Sequence, residues 1–205
     1  MANSPYDTAT HWDHVYAQGE TTLSWYQTYP AMSLRMLQLA GVGQPESLVD
    51  VGGGTSRLVD VFVEGGHTDV AVLDVSAAAL SYAKERLGDS PTRVQWLVAD
   101  VRSWEPDRKY QVWHDRAVFH FLTTQEDRDR YVQTMGLAGS DVAVFGAFAP
   151  DGPESCSGLP VARYDAGGIA AQLDSGWELV AQQREDHATP GGAVQPFTWA
   201  AFRRR

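Results

Sequence analysis

The stretch SLVDVGGGTSRLVDVF, residues 47–62, sets three consecutive glycines between two apolar runs. The first run reads as a buried strand and the second as a helix, so Gly52, Gly53 and Gly54 are expected to form a strand-to-helix turn. In an open sheet of parallel strands that turn lies at the carboxyl edge, where ligands bind. Glycine there permits a positive φ and lets another molecule lie against the main chain, with the N–H groups of the following helix directed at it.

The rest of the chain repeats the same alternation about five times. VAVLDV precedes a helical SAAALSYAKERLG, VQWLVAD a short helical VRSWEP, and YQVWHD the helical TTQEDRDRYVQTMG; DVAVFGAFA closes the series. Continuous Val/Leu runs are those of strands covered on both faces, which predicts a mostly parallel, Rossmann-like α/β sheet with helices on both sides. After the loop PDGPESCSGLP and one helical stretch, WELVAQQRED and PFTWAAF follow each other without a helix, so the sheet is expected to end in an antiparallel hairpin. Before the glycine turn, Trp12, Val15 and Tyr16 fall on one face of a short helix, TTLSWYQ forms an aromatic loop, and residues 30–40 form a second helix. A single domain over 1–205 is expected: an N-terminal helical lid (1–45), a cofactor-binding core (46–150), and a substrate-side loop, helix and hairpin (151–205).

Composition narrows the function. With 205 residues, 43% of them hydrophobic, the chain can bury one sizeable core. A net charge of −10 lacks the basic stripe that nucleic acid requires, and neither a signal-like segment nor a membrane-length apolar run is present, so a cytoplasmic protein is expected. Cys156 is the only cysteine, which excludes an internal disulfide; no metal site is expected, because the histidines and acids of HDRAVFH find no completing partners.

Spacing separates the candidate ligands. A phosphate-binding P-loop needs Gly-Lys-Ser/Thr, and no lysine occurs before residue 84. The dinucleotide fingerprint would use Gly52 and Gly54 but meets Arg57 where its third glycine belongs. What stands is Asp50-x-Gly52-x-Gly54, followed by Asp74 at the end of the second strand and Asp100 after the third. A carboxylate at the first of these two positions can accept both hydroxyls of a ribose, and one at the second can accept from an exocyclic amine. Each alone also fits a helix cap.

Taken together, VDVGGGTS, VLDVS and VADV resemble the class I S-adenosylmethionine-dependent methyltransferases. That likeness implies a seven-stranded sheet and S-adenosyl-L-methionine as cofactor, with Asp50, Gly52, Gly53, Gly54, Asp74, Val75, Asp100 and Val101 as its cradle. The N-terminal pattern Trp12-x-x-x-Tyr16 with Trp25-Tyr26 is similar to the branch containing the elongation-factor-1A and citrate-synthase lysine methyltransferases. By that similarity Trp12, Tyr16 and Trp25 close over the cofactor, and aromatic faces suit a sulfonium. After the fourth strand the chain departs from that branch: Asp115-Arg116 stands for its acid–lysine pair, with Arg116 near the cofactor, and Phe119-His120-Phe121 replaces small and acidic residues.

Methyl transfer by in-line displacement chiefly needs alignment and exclusion of water. Where the acceptor arrives protonated, Asp115, His114 and His120 are the candidate acid–base groups. Tyr164 and His187 are candidates for capping the substrate side, and Cys156 for lining it. The acceptor is expected to be a small molecule or a protein side chain, a protein lysine being one alternative. A nucleotide-dependent (NAD) oxidoreductase or a non-catalytic nucleotide-binding protein are the readings from other classes.

Overall fold

The computed structural model describes residues 8–43, 47–88 and 94–205. Its strands are β1 (Leu48–Val51), β2 (Val70–Asp74), β3 (Val94–Val98), β4 (Val112–Arg116), β5 (Val142–Phe148), the two-residue β6 (Ser155–Cys156) and β7 (Leu159–Pro160), β8 (Trp177–Ala188) and β9 (Val194–Arg204). The helices are α1 (Thr8–Tyr16), α2 (Ala31–Leu39), α3 (Leu58–Glu64), α4 (Ala77–Leu87), α5 (Gln125–Ala138) and α6 (Ala166–Ala170). Seven strands form one sheet in the order β3-β2-β1-β4-β5-β9-β8, and β6 pairs with β7 in a separate hairpin. β1 to β5 run parallel; β9 is antiparallel to both β5 and β8. This is the doubly wound α/β class that the strand–helix alternation predicts.

Alternation along each strand builds two cores. Val49, Val51, Ala71, Leu73, Trp113 and Phe145 face one layer, packed with Tyr131 and Met135 of α5. Leu48, Val70, Val72, Val112 and Val144 face the other, against Met36 and Leu37 of α2 and Leu58 and Phe62 of α3. Both faces are therefore dry, as continuous apolar strands require. Helix starts are capped in the usual way: Ser76 Oγ accepts from the Ala79 N–H at 3.1 Å, and Thr124 Oγ1 from the Asp127 N–H at 3.1 Å. α1 is docked on the first of these caps, where the Ser76 hydroxyl donates to Asp13 Oδ1 at 2.6 Å.

One expected element does not form. VRSWEP is a turn, in which the Ser103 and Trp104 N–H groups bond the Asp100 carbonyl at 3.0 and 2.9 Å. Pro106 leaves about one turn of chain after β3, too little to repay helix nucleation.

The glycine bend is tied to the neighbouring strand: Gly52 and Gly53 both donate to the Leu73 carbonyl, at 2.7 and 3.2 Å. Gly52 and Gly54 have φ of 64° and 43°. A side chain on Gly52 would collide with Val118, one on Gly53 would sit 2.7 Å from Asp50 Oδ2, and one on Gly54 would strike the Tyr16 hydroxyl. The bareness of the bend thus serves the protein's own packing as well as any ligand.

Gly52→Ala is expected to destabilise the fold by about 1–2 kcal/mol from the left-handed conformation alone, plus the overlap with Val118. Adding Val118→Ala should recover the overlap and leave the backbone cost, as read by denaturant unfolding of both variants.

Candidate functional site

The carboxyl ends of β1 to β4 open into one cavity of about 360 Å³. Its first side is lined by Gly52, Asp74, Val75, Asp100 and Val101, and Trp12, Tyr16 and Trp25 also line it. Trp12 packs edge-on against Trp25 and Phe121, with ring centroids 5.9 and 5.1 Å apart, and Tyr16 against Trp25 at 5.9 Å. The loop that carries Trp25 is tied to β8. His187 Nε2 bonds the Ser24 carbonyl at 2.7 Å, and Gln27 Nε2 donates to Glu185 at 3.0 Å. Glu185 in turn accepts from Trp199 Nε1 at 2.7 Å.

The two acids of this side differ electrostatically. Asp74 is buried, accepts from the Ser76 N–H at 2.8 Å and, among the described residues, has no cation acting on it. Burial pushes its pKa up to about 7, against the pull of its backbone hydrogen bonds. For Asp100 burial also opposes the charge, but the Arg102 guanidinium, bonded to both of its oxygens, more than offsets this and holds its pKa below the usual range. Burial, with Asp74 nearby, keeps the Tyr16 phenol neutral.

The other side of the cavity is lined by Arg116, His120, Phe121, Phe148, Cys156 and Phe197, among others. The Arg116 residue as a whole is partly exposed, but its Nε and Nη2 atoms are out of water and without partners. Nη1 donates to the Trp25 carbonyl at 2.9 Å, and the guanidinium lies 5.4 Å from the centroid of the Phe197 ring. Burial lowers its pKa, with Glu185 and Asp50 opposing.

His120 faces the cavity, but not as the base expected from sequence. Its Nδ1 accepts the Phe148 N–H at 3.2 Å, so the ring proton is on Nε2, which is buried and unpartnered. Burial and then the Arg116 charge push its pKa down to about 3. The imidazole is neutral near pH 7, its one lone pair is engaged, and it offers a donor.

Asp115 and His114 line neither the cavity nor its narrow side pocket. Successive residues of β4 point to opposite faces. Asp115 turns away from Arg116 into the α5 layer, accepting from Tyr131 Oη at 2.5 Å and from the Val118 and Phe119 N–H groups at 3.0 and 3.3 Å. It thereby pins the turn that carries His120, a turn in which Ala117 takes a φ of 69°. His114 is sealed under the bend, bonded through Nδ1 to Asp50 Oδ1 at 2.7 Å. Asp50 reaches only the side pocket, beside Gly52, Gly53 and Arg116. Gly54 lines neither space.

Of the remaining candidates, Cys156 lines the cavity, His187 bonds the loop that carries Trp25, and Tyr164 is in the core with its ring 5.3 Å from Phe119. Sequence reasoning missed His11, Gln195 and Phe197. The last two come from β9, and the pairing of Phe197 with Phe148 of β5 follows only from the hairpin's register.

Residues 48–136, β1 through α5, match the family model described as a methyltransferase domain. A curated relative, malonyl-[acyl-carrier protein] O-methyltransferase 1 of Ilyobacter polytropus, is 31% identical over 80 residues, which is 38% of this chain and 30% of that protein. The chain therefore aligns with under a third of that relative's length. An S-adenosylmethionine-dependent methyltransferase structure from Anabaena variabilis superposes with a TM-score of 0.72 at 15% identity, covering 98% of this chain and 96% of the other. The N-methyltransferase NodS of Bradyrhizobium japonicum, solved with S-adenosyl-L-homocysteine, gives 0.70 at 13% identity over 97% and 99%. The fold is that of these methyltransferase structures, and residues 48–136 are similar to a methyltransferase domain.

Asp74 and Asp115, the latter held at about 6 chiefly by burial, both have folded pKa values above the unfolded aspartate value of about 3.9. Between about pH 4 and 7 the folded state keeps protons that the unfolded state has lost, so their contribution favours folding at the acidic end and fades as pH rises. The melting temperature is expected to fall between about pH 4 and 7, with Asp74→Asn flattening the upper part of that slope.

Proposed function

We propose that this chain is an S-adenosylmethionine-dependent methyltransferase acting on a small-molecule acceptor. The observation that carries this reading is a single cavity in which a bare strand-to-helix bend, the buried Asp74 and the Asp100–Val101 turn stand at adjacent strand ends under an aromatic lid. The residues fit the cofactor part by part. Asp74 is bonded by backbone N–H groups and has no cation offsetting its burial, and two ribose hydroxyls would add donors to its carboxylate. Ala99, Asp100 and Val101 would hold the adenine, and Gly52 would admit the methionine portion against the main chain.

Bound S-adenosylmethionine supplies a methyl group on a sulfonium, open to in-line displacement. The chain's part is to orient and to exclude water: Trp12, Tyr16 and Trp25 cover the site with faces that favour a cation, and Arg116 fixes Trp25 through its carbonyl. The malonyl-acyl-carrier-protein relative, similar over a limited stretch, supports a small acceptor.

The assembled Trp12–Tyr16–Trp25 cluster favours a second reading, protein-lysine methylation, because it reproduces the aromatic pattern of the lysine-methylating branch. Against that reading, the buried Arg116 charge opposes a lysine ammonium, and Phe119-His120-Phe121 stands where the branch has small and acidic residues.

Calorimetry should give micromolar binding of S-adenosyl-L-homocysteine; binding of NAD alone would overturn the proposal. Ribose hydroxyls bind the ionised carboxylate, so affinity is expected to fall as pH drops below about 7, by up to about tenfold per pH unit, and Asp74→Asn should bind at least about tenfold more weakly without that dependence.

A further inference from the structure

Arg116 ends β4, aligned with Gly146 of β5 and through it with Trp199 of β9. Its guanidinium reaches across β5 to the Phe197 ring, on the opposite side of β1 from Asp74 and Asp100, the strand ends assigned above to ribose and adenine. The two unpartnered atoms, Nε and Nη2, are the side-on pair of the guanidinium, the geometry that grips both oxygens of one carboxylate. Among the described residues no carboxylate is hydrogen-bonded to these two atoms. Glu185 is bonded to Gln27 and Trp199, Asp50 to His114, and neither has a hydrogen bond to Arg116. A buried cation with two free donors is costly to maintain for stability alone.

The same wall carries a second free donor, the His120 Nε2–H. Gln195, whose buried Oε1 also lacks a partner, presents either its oxygen or, by rotation of the amide, its nitrogen. The surrounding surface, which includes Phe121, Phe148, Leu159, Pro160 and Phe197, is apolar.

From this geometry we infer that the methyl acceptor is a small apolar carboxylic acid, bound as its carboxylate by Arg116 Nε and Nη2 with the His120 Nε2–H beside them. The inference rests on the methyltransferase reading, since that reading assigns the other half of the cavity to the cofactor. It names the acceptor's anchoring group, a charge opposite to that of a lysine or other amine substrate. A competing source of the same chemistry is the methionine carboxylate of the cofactor itself, and the test separates the two.

Benzoate and hexanoate, with their neutral counterparts benzamide and hexanamide and the cation hexylamine, are titrated calorimetrically into the full chain with and without saturating S-adenosyl-L-homocysteine. Each carboxylate is expected to bind at least about tenfold more tightly than its amide or amine. Arg116→Met should remove that preference, with the loss of S-adenosyl-L-homocysteine affinity that follows from freeing the Trp25 carbonyl smaller than the loss of carboxylate affinity, and Arg116→Lys should keep the preference at reduced affinity. His120→Phe, which retains the ring packing, should weaken the carboxylates about three- to tenfold. If Arg116→Met does not fold, the Lys and Phe variants carry the test. Carboxylates binding no better than amides, or an Arg116→Met loss that falls on S-adenosyl-L-homocysteine instead, overturns the inference. Failure of the wild-type chain to bind S-adenosyl-L-homocysteine would instead overturn the function proposed above, while the titrations without it still read the carboxylate preference.

Discussion

Two N–H groups converging on one carbonyl hold the site in place. Gly52 and Gly53 both donate to Leu73 of β2, so the chain leaving β1 bends at a fixed point relative to the neighbouring strand. The residue after Leu73 is Asp74, and the bend and the carboxylate are therefore set by the same few backbone atoms. Parallel register extends the arrangement: Asp74 pairs with Val98, two residues before Asp100, and Val51 with Asp115, one before Arg116. Once four strands run the same way, their ends must arrive together, and the chemistry-bearing residues arrive with them.

The cavity built on that edge is electrostatically divided. On the β2–β3 side stand two acids, the buried Asp74 and the half-buried Asp100; on the β4–β5 side stand donors short of an acceptor. A chain of net charge −10 thus keeps a cation with two buried, unpartnered donor atoms at the edge of its cavity, which is why overall charge says little about what one pocket receives. His120 belongs to this division. Burial beside Arg116 strips it of basicity, and the Phe148 N–H fixes its tautomer.

Much of this was legible before any coordinates. The three glycines announced a bend, Asp74 and Asp100 two carboxylates at neighbouring strand ends, and the Trp12–Tyr16–Trp25 spacing an aromatic cluster, because each is a local pattern with a local cause. What was misread depended on direction. Along β4 the side chains alternate, so Asp115 and Arg116 cannot share a face, and strand alternation alone could have assigned His114 and Arg116 to one layer and Asp115 to the other. The orphaned atoms of Arg116, and the arrival of Gln195 and Phe197 from β9, depend on pairings between distant segments that no window of sequence contains. VRSWEP was misjudged because pattern was weighed without length: one turn before a proline does not sustain a helix.

The tethers of the aromatic loop carry a consequence for biogenesis. Ser24 and Gln27 are bonded to His187 and Glu185, about 160 residues further on, and Trp199 completes that chain of bonds. Residues 24 and 27 leave the ribosome long before residues 185–199 and must wait for them before they can close. Contacts of such long sequence separation also form late in refolding. The parallel core can assemble while the nascent chain is still growing, but ligand-binding competence should appear only when the terminal hairpin docks, so a polypeptide stalled before β8 would hold a formed sheet edge with no cover over it.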